Sequence, residues 1–302
     1  MGLITQLSIL LPTYNCHCTR LVAALHAQCV AIRVLTFEIL VADDASTDRS
    51  IVEANRSIRQ LDHVSYIECE TNRGRSGIRN FLVSQSHYPF LLFIDGDLSL
   101  DNPHFIEQYL SAQADIAVGG IAIGGSATVW RGNLRWLYEK QSEHKHTAER
   151  RQRYGFRQFR STNFLVRRAA AERCPFDESI HIYGYEDVLF GKMAHQQGFT
   201  IVHIDNPVLL DDFESNTLFV QKTEQSLRVL SSHRHQLQDY SSLLRAVGLL
   251  RRLGLHGLSR WLYHVFGASI KRRLEGNNSS IFLFNVYKLL FLACLINPKE
   301  AV

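Results

Sequence analysis

Short apolar runs alternate with segments of helical periodicity over the first third of the chain. The apolar runs are rich in Leu, Ile, Val and Phe, and they predict strands at Leu7–Leu11, Phe37–Ala42, Val64–Cys69 and Phe90–Ile94. Between them, apolar residues at helical spacing predict helices at Thr19–Ile32, Ser46–Arg59 and Gly77–Ser86. This regular alternation predicts an α/β fold with a mostly parallel, doubly wound sheet, right-handed crossovers and flanking helices.

The pattern becomes less regular in the middle of the chain. Ala114–Val129 is apolar and glycine-rich, which predicts an irregular strand or a hairpin. Trp130–Arg160 is basic and aromatic, and we expect it to be a mobile, mostly helical or looped segment, with a solvated surface helix as the alternative. The elements predicted after it are a strand at Thr162–Val166, a helix at 187–197 and a strand at Thr200–Ile204.

The chain changes character at Tyr240, where we place a domain boundary. Residues 1–239 are expected to form the main domain, and residues 240–302 a basic, apolar helical extension. The formal net charge is +4, and residues 240–302 hold nine Lys/Arg and two Glu, which gives +7 and leaves −3 for residues 1–239. Basic amphipathic helices are predicted at Leu249–Leu253 and Ala268–Leu274.

The run Ile281–Ile296 is strongly apolar but contains Asn285 and Lys288. It is shorter than the roughly 20 residues that a helix needs to cross a bilayer. One interpretation is a helix packed against the main domain. The other is a helix that lies in the interface of an anionic membrane, which would give residues 240–302 a peripheral membrane contact. We expect no nucleic-acid partner.

The N-terminus and the cysteines indicate a cytoplasmic protein. Met1–Thr13 has no positively charged n-region and no small-residue cleavage site, so we expect no signal peptide. The six cysteines are irregularly spaced, which indicates reduced thiols rather than a disulfide framework. Cys16-His17-Cys18 could start a metal site, but nothing nearby supplies a convincing second ligand pair.

Two carboxylates follow the fourth predicted strand, in Asp95-Gly96-Asp97. Side chains at i and i+2 of an extended segment point to the same side, so Asp95 and Asp97 would face one point, and Gly96 would let a ligand approach the backbone. Oxygen ligands of this kind suit Mg²⁺ or Mn²⁺ held together with the phosphates of a substrate. The alternative is a solvated turn, since Asp and Gly also favour turns.

Other polar clusters follow the first and second predicted strands. Pro12-Thr13-Tyr14-Asn15 follows the first, and Asp43-Asp44-Ala45-Ser46-Thr47-Asp48 follows the second. Ligands of doubly wound sheets bind at the carboxyl ends of the strands, where all these clusters would meet. An acid of the second cluster could accept a hydrogen bond from a bound base. Alternatively, Asp44, Ser46 or Thr47 would only cap the following helix.

Together these motifs resemble those of the family 2 glycosyltransferases, which have the nucleotide-sugar-binding GT-A fold. The cluster at Asp43–Asp48 is close to the family's Asp-Asp-Gly-Ser-Thr-Asp, with Ala45 in place of glycine. The segment Asn72–Asn80 is similar to its Asn-x-Gly…Ala-Arg-Asn stretch, Asp95-Gly96-Asp97 to its metal-binding DxD, and Gly184–Asp187 to its Glu-Asp motif.

The resemblance implies a role for each matching residue. The turn at Pro12, Thr13 and Tyr14 would hold the base, and Asp44 would bind a base N–H. Arg79 would lie near the pyrophosphate or the base edge.

The remaining implied roles concern the reacting end of the donor. Asp95 would bind the ribose or a metal-bound water, Gly96 would belong to the same nucleotide-sugar site, and Asp97 would bind the divalent metal on the diphosphate. Asp187, beside Glu186, would take the proton from an acceptor hydroxyl in one inverting displacement. We expect the dipole of the helix to favour the ionised form of Asp187. A pair of first-turn acids without other function is the alternative.

Two further expectations concern the acceptor and the metal. Segment 130–160 would shape the acceptor site, with aromatic rings stacking on sugars and arginines meeting acidic groups; the residues are Trp130, Trp136, Tyr138, Tyr154, Arg150, Arg151 and Arg153. Many relatives carry a metal-site histidine where this chain has Leu210. Either His203 or Asp211 would take its place, or nothing would, and the metal would be held by Asp97, phosphates and water.

The sequence therefore predicts an inverting, metal-dependent glycosyltransferase. It would use a nucleotide sugar, with UDP as the expected nucleotide, and act on a glycan or lipid-linked acceptor in surface polysaccharide biosynthesis, at the cytoplasmic face of the membrane. The alternative is a catalytically inactive nucleotide-sugar-binding or partner-docking protein of the same fold. A nucleotidyltransferase is disfavoured, because no glycine-rich basic phosphate loop follows the first strand.

Overall fold

The computed structural model describes residues 3–277 and 280–296. Within them, the strands are β1 Gln6–Thr13, β2 Thr36–Asp43, β3 Val64–Glu68, β4 Phe90–Ile94, β5 Ile116–Val118, β6 Ile121–Ile123, β7 Asn163–Arg167, β8 Ile201–His203 and β9 Val208–Leu210. The main sheet has the order β3-β2-β1-β4-β7-β5-β8, and β6 pairs with β9 in a second, two-stranded sheet. In the main sheet only β7 runs antiparallel to its neighbours, so the predicted mostly parallel α/β sheet is confirmed.

Helices cover the sheet and make up the C-terminal region, as predicted. They are α1 Thr19–Ala31, α2 Arg49–Arg56, α3 Gly74–Gln85, α4 Phe105–Leu110, α5 Ala127–Trp130, α6 Leu134–Ser142, α7 Ala148–Tyr154, α8 Arg168–Arg173, α9 Glu186–Gln196, α10 Asn216–Ser232, α11 Arg234–Leu237, α12 Ser242–Arg252, α13 His256–Glu275 and α14 Ile281–Leu295. Short 3₁₀ turns lie at Ser57–Gln60, Glu143–Lys145 and Gly155–Gln158.

Helix α2 begins later than the sequence predicted, and its predicted cap was wrong. Asp48 is the N-cap, because its carboxylate accepts hydrogen bonds from the N–H groups of Ser50 and Ile51 at 3.0 and 3.5 Å. Asp44, Ser46 and Thr47 instead bind neighbouring loops, as described below. The four residues before Asp48 are therefore free of the helix and can form the loop that follows β2.

The glycine-rich segment after residue 113 forms two short strands in different sheets rather than a hairpin. Gly120, at φ +92°, lies between β5 and β6, and a Cβ there would come 2.6 Å from Nη2 of Arg151. The buried Arg151 guanidinium donates hydrogen bonds to the carbonyls of Val118, Gly119 and Ile204 at 2.9–3.0 Å. These bonds tie the end of β5 to the segment after β8, where the carbonyls of Val118 and Gly119 also accept from the N–H groups of Ile204 and Asn206.

An aromatic cluster in the main sheet fixes the position of α9. Phe93 of β4 stacks on Phe164 of β7, with ring centroids 4.9 Å apart. Phe190 of α9 stacks on Phe176 at 4.6 Å and lies 5.9 Å from Phe164. Because these rings are buried and interlocked, they anchor α9 against the sheet. The cluster therefore determines where the first residues of α9 stand.

The chain divides into two compact units, one of residues 1–124, 143–181 and 186–212, and one of residues 125–142, 182–185 and 213–302. Such units do not test the predicted boundary after residue 239, which stays a prediction. In the second unit α14 packs on α10 and α13, with Phe284, Tyr287 and Leu292 buried. Of the two interpretations of Ile281–Ile296, the packed helix is therefore the one observed. Within the described ranges, no helix combines the length and the hydropathy needed to cross a membrane.

Candidate active site

The polar clusters predicted at the strand ends lie along one edge of the main sheet. The parallel register pairs Thr13 at the end of β1 with Asp43 at the end of β2, and Asp43 in turn with Glu68 at the end of β3. The N–H of Gly96, two residues beyond β4, donates to the carbonyl of Pro12 at 3.3 Å. The loops that follow β1, β2 and β4 consequently meet at this edge, which is where ligands bind in such sheets.

Asn15 joins the loop after β1 to the loop after β2. Its side-chain oxygen accepts from the N–H groups of Thr47 and Asp48 at 2.9 and 3.0 Å, and its own N–H donates to Oγ of Ser46 at 2.8 Å. Asn15 also has φ +48°, a conformation that asparagine tolerates better than most residues. The sequence placed Asn15 in the right cluster but gave no sign of this connecting role.

Asp44 is buried, with 4% of its surface exposed, and binds the loop that leads into α3. Its carboxylate accepts hydrogen bonds from the N–H groups of Arg73 and Gly74 at 2.6 and 3.0 Å, and its backbone carbonyl accepts from Asn72 at 2.8 Å. Burial raises the pKa of Asp44, although these N–H groups oppose the shift. An ionised carboxylate has further acceptor positions, so Asp44 can hold the loop and still accept a bond from a ligand.

The turn after β1 presents one exposed aromatic ring. Tyr14 is 48% exposed, whereas Thr13 is buried and its hydroxyl donates to the carbonyl of Ala42 at 3.2 Å. A Cβ at position 96 would collide with the methyl group of Thr13 and would come 3.2 Å from the carbonyl oxygen of Pro12. Gly96 is thus required by the chain's own packing, in addition to any approach of a ligand.

Ala45 occupies a conformation that favours glycine, with φ +59°. The change Ala45→Gly is expected to raise the free energy of unfolding by about 0.5–1 kcal/mol, because relief of left-handed strain outweighs the greater freedom of the unfolded chain. Urea unfolding measures this effect. The matched control is Ala54→Gly on the exposed side of α2, which should lower stability by about 1 kcal/mol. Equal destabilisation by both changes would contradict the strain at Ala45.

Arg79 lies inside the protein and pairs with Asp95. Its side chain is 2% exposed, and its Nη2 lies 2.5 Å from Oδ1 of Asp95. Its guanidinium also stands over the ring of Phe176, 5.6 Å from the centroid. Arg79 therefore lies on the interior side of Asp95 and orients that carboxylate, whose side chain is 16% exposed.

Arg75 connects the two acidic motifs and was missed at the sequence level. Its Nε donates to Oε1 of Glu186 at 2.6 Å, and its Nη2 lies 3.4 Å from Oδ2 of Asp95. Arg75 is 40% exposed and stands one helical turn before Arg79 on the same face of α3. The spacing of four residues between Arg75 and Arg79 was the sequence feature that could have indicated its role. Through Arg75, the carboxylate after β4 and those at the start of α9 belong to one electrostatic site.

The pKa values of Glu186 and Asp187 are shifted in opposite directions. Burial opposes ionisation of Glu186, but the charges of Arg75 and Arg79 outweigh it and lower the pKa of Glu186. Burial and the neighbouring Glu186 charge raise the pKa of Asp187 to about 6, although the N–H of Val188 donates to Asp187 Oδ1 at 2.7 Å. Desolvation and repulsion therefore outweigh the expected effect of the helix terminus on Asp187. Two adjacent carboxylates with different proton affinities result.

The turn that leads into α9 is strained. Gly184 has φ +113° and Tyr185 has φ +66°, which is rare for a bulky aromatic residue. Strained backbone of this kind persists where the surrounding structure fixes it, and it is frequent beside functional groups. Both residues immediately precede Glu186, the first residue of α9.

Asp97 and Asp211 are two exposed carboxylates near this edge. Asp97 is exposed beside Gly96, and Oδ2 of Asp211 accepts from the hydroxyl of Ser99 at 2.9 Å, so Asp211 lies beside the loop that carries Asp97. In residues 3–277 and 280–296, no group of three or more His, Cys, Asp or Glu side chains forms a metal cluster. Exposed carboxylates fit a hard cation that takes its other ligands from phosphate and water.

His203 is engaged inside the protein. Its Nε2 lies 3.0 Å from the carbonyl of Gly155, and its Nδ1 lies 3.3 Å from Nη1 of Arg151. Burial, together with the charge of Arg151, lowers the pKa of His203 to about 4. Of the two expected replacements for the histidine at Leu210, Asp211 is the one that the structure leaves at the edge of the site.

Segment 130–160 contributes fewer exposed groups than the sequence predicted. Trp136 and Arg151 are buried, so they cannot stack on or bind an acceptor at the surface, and Tyr138 packs on Phe284 at 5.4 Å. Trp130 packs against Phe213 at 5.1 Å. The exposed members are Tyr154, Arg150 and Arg153, and Arg153 pairs with Glu149. Buried and exposed aromatic residues could not be told apart from composition alone.

Comparison with known proteins identifies the family. Residues 8–174 match the sequence model of the family described as "Glycosyl transferase family 2". An uncharacterized glycosyltransferase of Haemophilus influenzae is 28% identical over 102 residues, which is 34% of this chain and 40% of that protein, so the chain matches less than half of this relative's length.

Solved structures resemble the fold. S. aureus TarS 1–349 in complex with UDP-GlcNAc has a TM-score of 0.53 and 18% identity, with coverage of 95% of this chain and 90% of that one. The mannosyltransferase PcManGT of Pyrobaculum calidifontis, in complex with GDP-Man and Mn²⁺, has a TM-score of 0.52 and 13% identity, with coverage of 95% and 85%. At these identities the likeness shows the fold alone, which is of the GT-A type. Because the family match includes more than half of the residues, the chain belongs to glycosyl transferase family 2.

Proposed function

We propose that this protein is an inverting, metal-dependent glycosyltransferase that moves a sugar from a nucleotide sugar to an acceptor hydroxyl. The observation that carries the proposal is the bridge through Arg75, which joins Asp95 at the end of β4 to Glu186 beside Asp187. It brings a site for a diphosphate leaving group and a carboxylate of raised proton affinity into one electrostatic unit. A transfer reaction needs both.

The base of the donor would lie over the ends of β1 and β2. Tyr14 supplies an exposed ring, the turn at Pro12 and Thr13 supplies backbone polar groups, and Asp44 supplies an acceptor for a base N–H. Gly96 keeps the chain close to this turn. UDP is the expected nucleotide, supported by the fold's likeness to TarS with UDP-GlcNAc, and GDP is the competitor, because PcManGT holds GDP-Man.

A divalent cation, Mg²⁺ or Mn²⁺, would be held by Asp97, with Asp211 as the further carboxylate at that edge. When bound, such an ion neutralises the charge that develops on a diphosphate leaving group. Asp95, oriented by Arg79, would bind the ribose or a water on the metal. The comparison with PcManGT and Mn²⁺ supports the use of a metal in this fold but does not distinguish the two ions.

Asp187 would act as the general base. Its carboxylate takes the proton of the acceptor hydroxyl while that oxygen forms a bond to the anomeric carbon and the bond to the diphosphate oxygen breaks. Attack from the side opposite to the leaving group inverts the anomeric configuration. Glu186, fixed by Arg75, stays ionised and keeps the proton affinity of Asp187 high.

The rate should depend on pH through this pair. Asp187 must be ionised to accept a proton, so kcat/KM is expected to rise with pH up to about 6 and to level off above it. The free energy of unfolding should change with pH in the opposite direction. Because the pKa of Asp187 is raised above its ordinary 3.8, this carboxyl stabilises the folded protein most at low pH, and that stabilisation is lost as pH rises toward 6. Initial rates at low donor concentration measure the profile. A rate that does not change between about pH 5 and about pH 7 would remove Asp187 as the base.

The acceptor would be a glycan or a lipid-linked saccharide, in surface polysaccharide biosynthesis at the cytoplasmic face of the membrane. The basic extension, which would keep the enzyme near lipid-linked acceptors, supports this setting. The second candidate is a catalytically inactive nucleotide-sugar-binding or partner-docking protein, which the leucine at position 210 favours. The paired but opposite shifts of Glu186 and Asp187 favour the enzyme.

Transfer with a defined stereochemical outcome tests the proposal. UDP- and GDP-sugars are supplied with Mn²⁺ and a membrane extract as the source of acceptor, and the configuration of the product is read by NMR. An α-linked donor should give a β-linked product. A product with retained configuration would overturn the single displacement, and nucleotide-sugar binding without any transfer or hydrolysis would favour the inactive protein.

A further inference from the structure

Helices α12 and α13 expose large apolar side chains in the second compact unit. Six of these side chains are between 47% and 61% exposed, and we call them the apolar face: Leu249, Leu253, Leu258, Trp261, Val265 and Phe266. A single exposed leucine is ordinary, but a Trp, a Phe and three aliphatic residues on two consecutive helices, with Leu253 just after the first, are not.

Helix α13 carries apolar residues on its exposed side as well as on its buried side. Leu258, Trp261 and Val265 recur at intervals of three and four residues, so they lie on one side of the helix, and that side is exposed. The opposite side buries His256, Ser259 and Leu274, and Tyr263 and Ile270 pack against the core there. A helix that turns its apolar residues outward has a surface suited to an apolar partner.

The same helices are strongly basic. From residue 242 to residue 275 the chain has seven Lys/Arg and one acid, Glu275 at the last position of α13, and of these cations Lys271 pairs with Glu224 at 2.8 Å. Arg245 and Arg252 of α12 and Arg272 and Arg273 of α13 are exposed. An apolar face among cations, with an aromatic residue of the interfacial type, matches the headgroup boundary of an anionic bilayer.

We propose that the apolar face and its arginines dock this protein onto an anionic lipid membrane, with α12 and α13 lying in the headgroup region. The contact surface is therefore this helix pair and not α14, whose apolar residues are largely buried. A second copy of the chain is a poorer occupant, because two such faces would bring their arginines together without acidic partners. The proposal deepens the proposed function by naming the surface that would reach a lipid-linked acceptor.

Co-sedimentation of the full chain with vesicles tests the docking without any turnover, so its failure is separate from failure of the transferase. The vesicles are phosphatidylcholine alone, or phosphatidylcholine and phosphatidylglycerol in equal parts. Binding to the anionic vesicles is expected, with weak binding to the neutral ones and release by salt. Trp261→Ser with Val265→Ser should weaken binding at least about tenfold.

Two further variants complete the design. Arg245→Gln with Arg252→Gln removes charge alone and should weaken binding to anionic vesicles by about fivefold per arginine. Phe282→Ser, at a 78% exposed aromatic residue of α14 outside the apolar face, is the matched control and should leave binding unchanged. Equal binding to both vesicle types, absence of binding, or a dimer that dissociates in the Trp261 variant would each overturn the proposal.

Discussion

Asp187→Asn is expected to lower kcat by about 10²–10⁴-fold while donor affinity stays within about twofold, because Asn has nearly the shape of Asp but cannot accept the acceptor proton. Stability should not fall at neutral pH. Burial and the Glu186 charge make the ionised Asp187 unfavourable in the folded protein, and Asn removes that charge. Rates at saturating donor and unfolding in urea measure the two effects.

Glu186→Gln is the matched control for this change. It removes the anion that receives the Nε hydrogen bond of Arg75, so it should lower stability, and it should shift the pH profile of the rate to lower pH, because Asp187 loses its charged neighbour. If Glu186→Gln abolished the reaction and Asp187→Asn did not, the two roles would have to be exchanged. A full rate in Asp187→Asn would remove the general base from the mechanism.

Asp97→Ala is expected to abolish the metal dependence of nucleotide binding. In Mn²⁺ the affinity for the nucleoside diphosphate should fall about 100-fold or more, since a metal on the diphosphate contributes several kcal/mol. Without metal, the variant and the wild type should bind equally weakly. Asp101→Ala is the control, because Asp101 is an exposed carboxylate four residues further on.

Asp211→Ala extends this test to the missing histidine. If Asp211 is the further ligand, its removal should also weaken nucleotide binding in Mn²⁺ and should leave the binding without metal unchanged. A Mn²⁺ dependence that survives Asp97→Ala intact would place the metal elsewhere or exclude it.

The sequence predicted the elements that place the site, for a physical reason. Buried parallel strands are continuous apolar runs, so Phe90–Ile94 was predicted without error and the acids after it were assigned to the correct edge of the sheet. The bounds of α2 were wrong because Asp, Ser and Thr are all good caps. Only the folded loop shows that the N–H of Thr47 donates to the side chain of Asn15 while the carboxylate of Asp48 caps the helix.

Roles that depend on distant neighbours could not be predicted from the sequence. Arg75 and Glu186 are 111 positions apart and meet only because α3 and α9 start at the same edge of the sheet. The raised pKa of Asp187 follows from burial, which a local pattern does not reveal. Arg79 and Arg151 carry the charge of surface residues, yet each is buried, and Arg79 pairs with Asp95 while Arg151 donates to backbone carbonyls.

The extension shows the same limit for apolar patterns. Ile281–Leu295 is the most apolar helix of the region and packs into the protein, while the more polar α13 exposes Trp261 and Val265. Mean hydropathy indicates whether a segment can be buried, and the direction of its apolar side decides what it contacts.

Calorimetric titration with UDP, GDP, CDP and dTDP, each with and without Mn²⁺, tests the central claim most directly. One of these nucleotides, expected to be UDP, should bind in the presence of Mn²⁺ and bind much more weakly without it. Absence of binding by all four, with and without the metal, would contradict the account, because the edge formed by Tyr14, Asp44, Asp95 and Asp97 would then not be a nucleotide-sugar site.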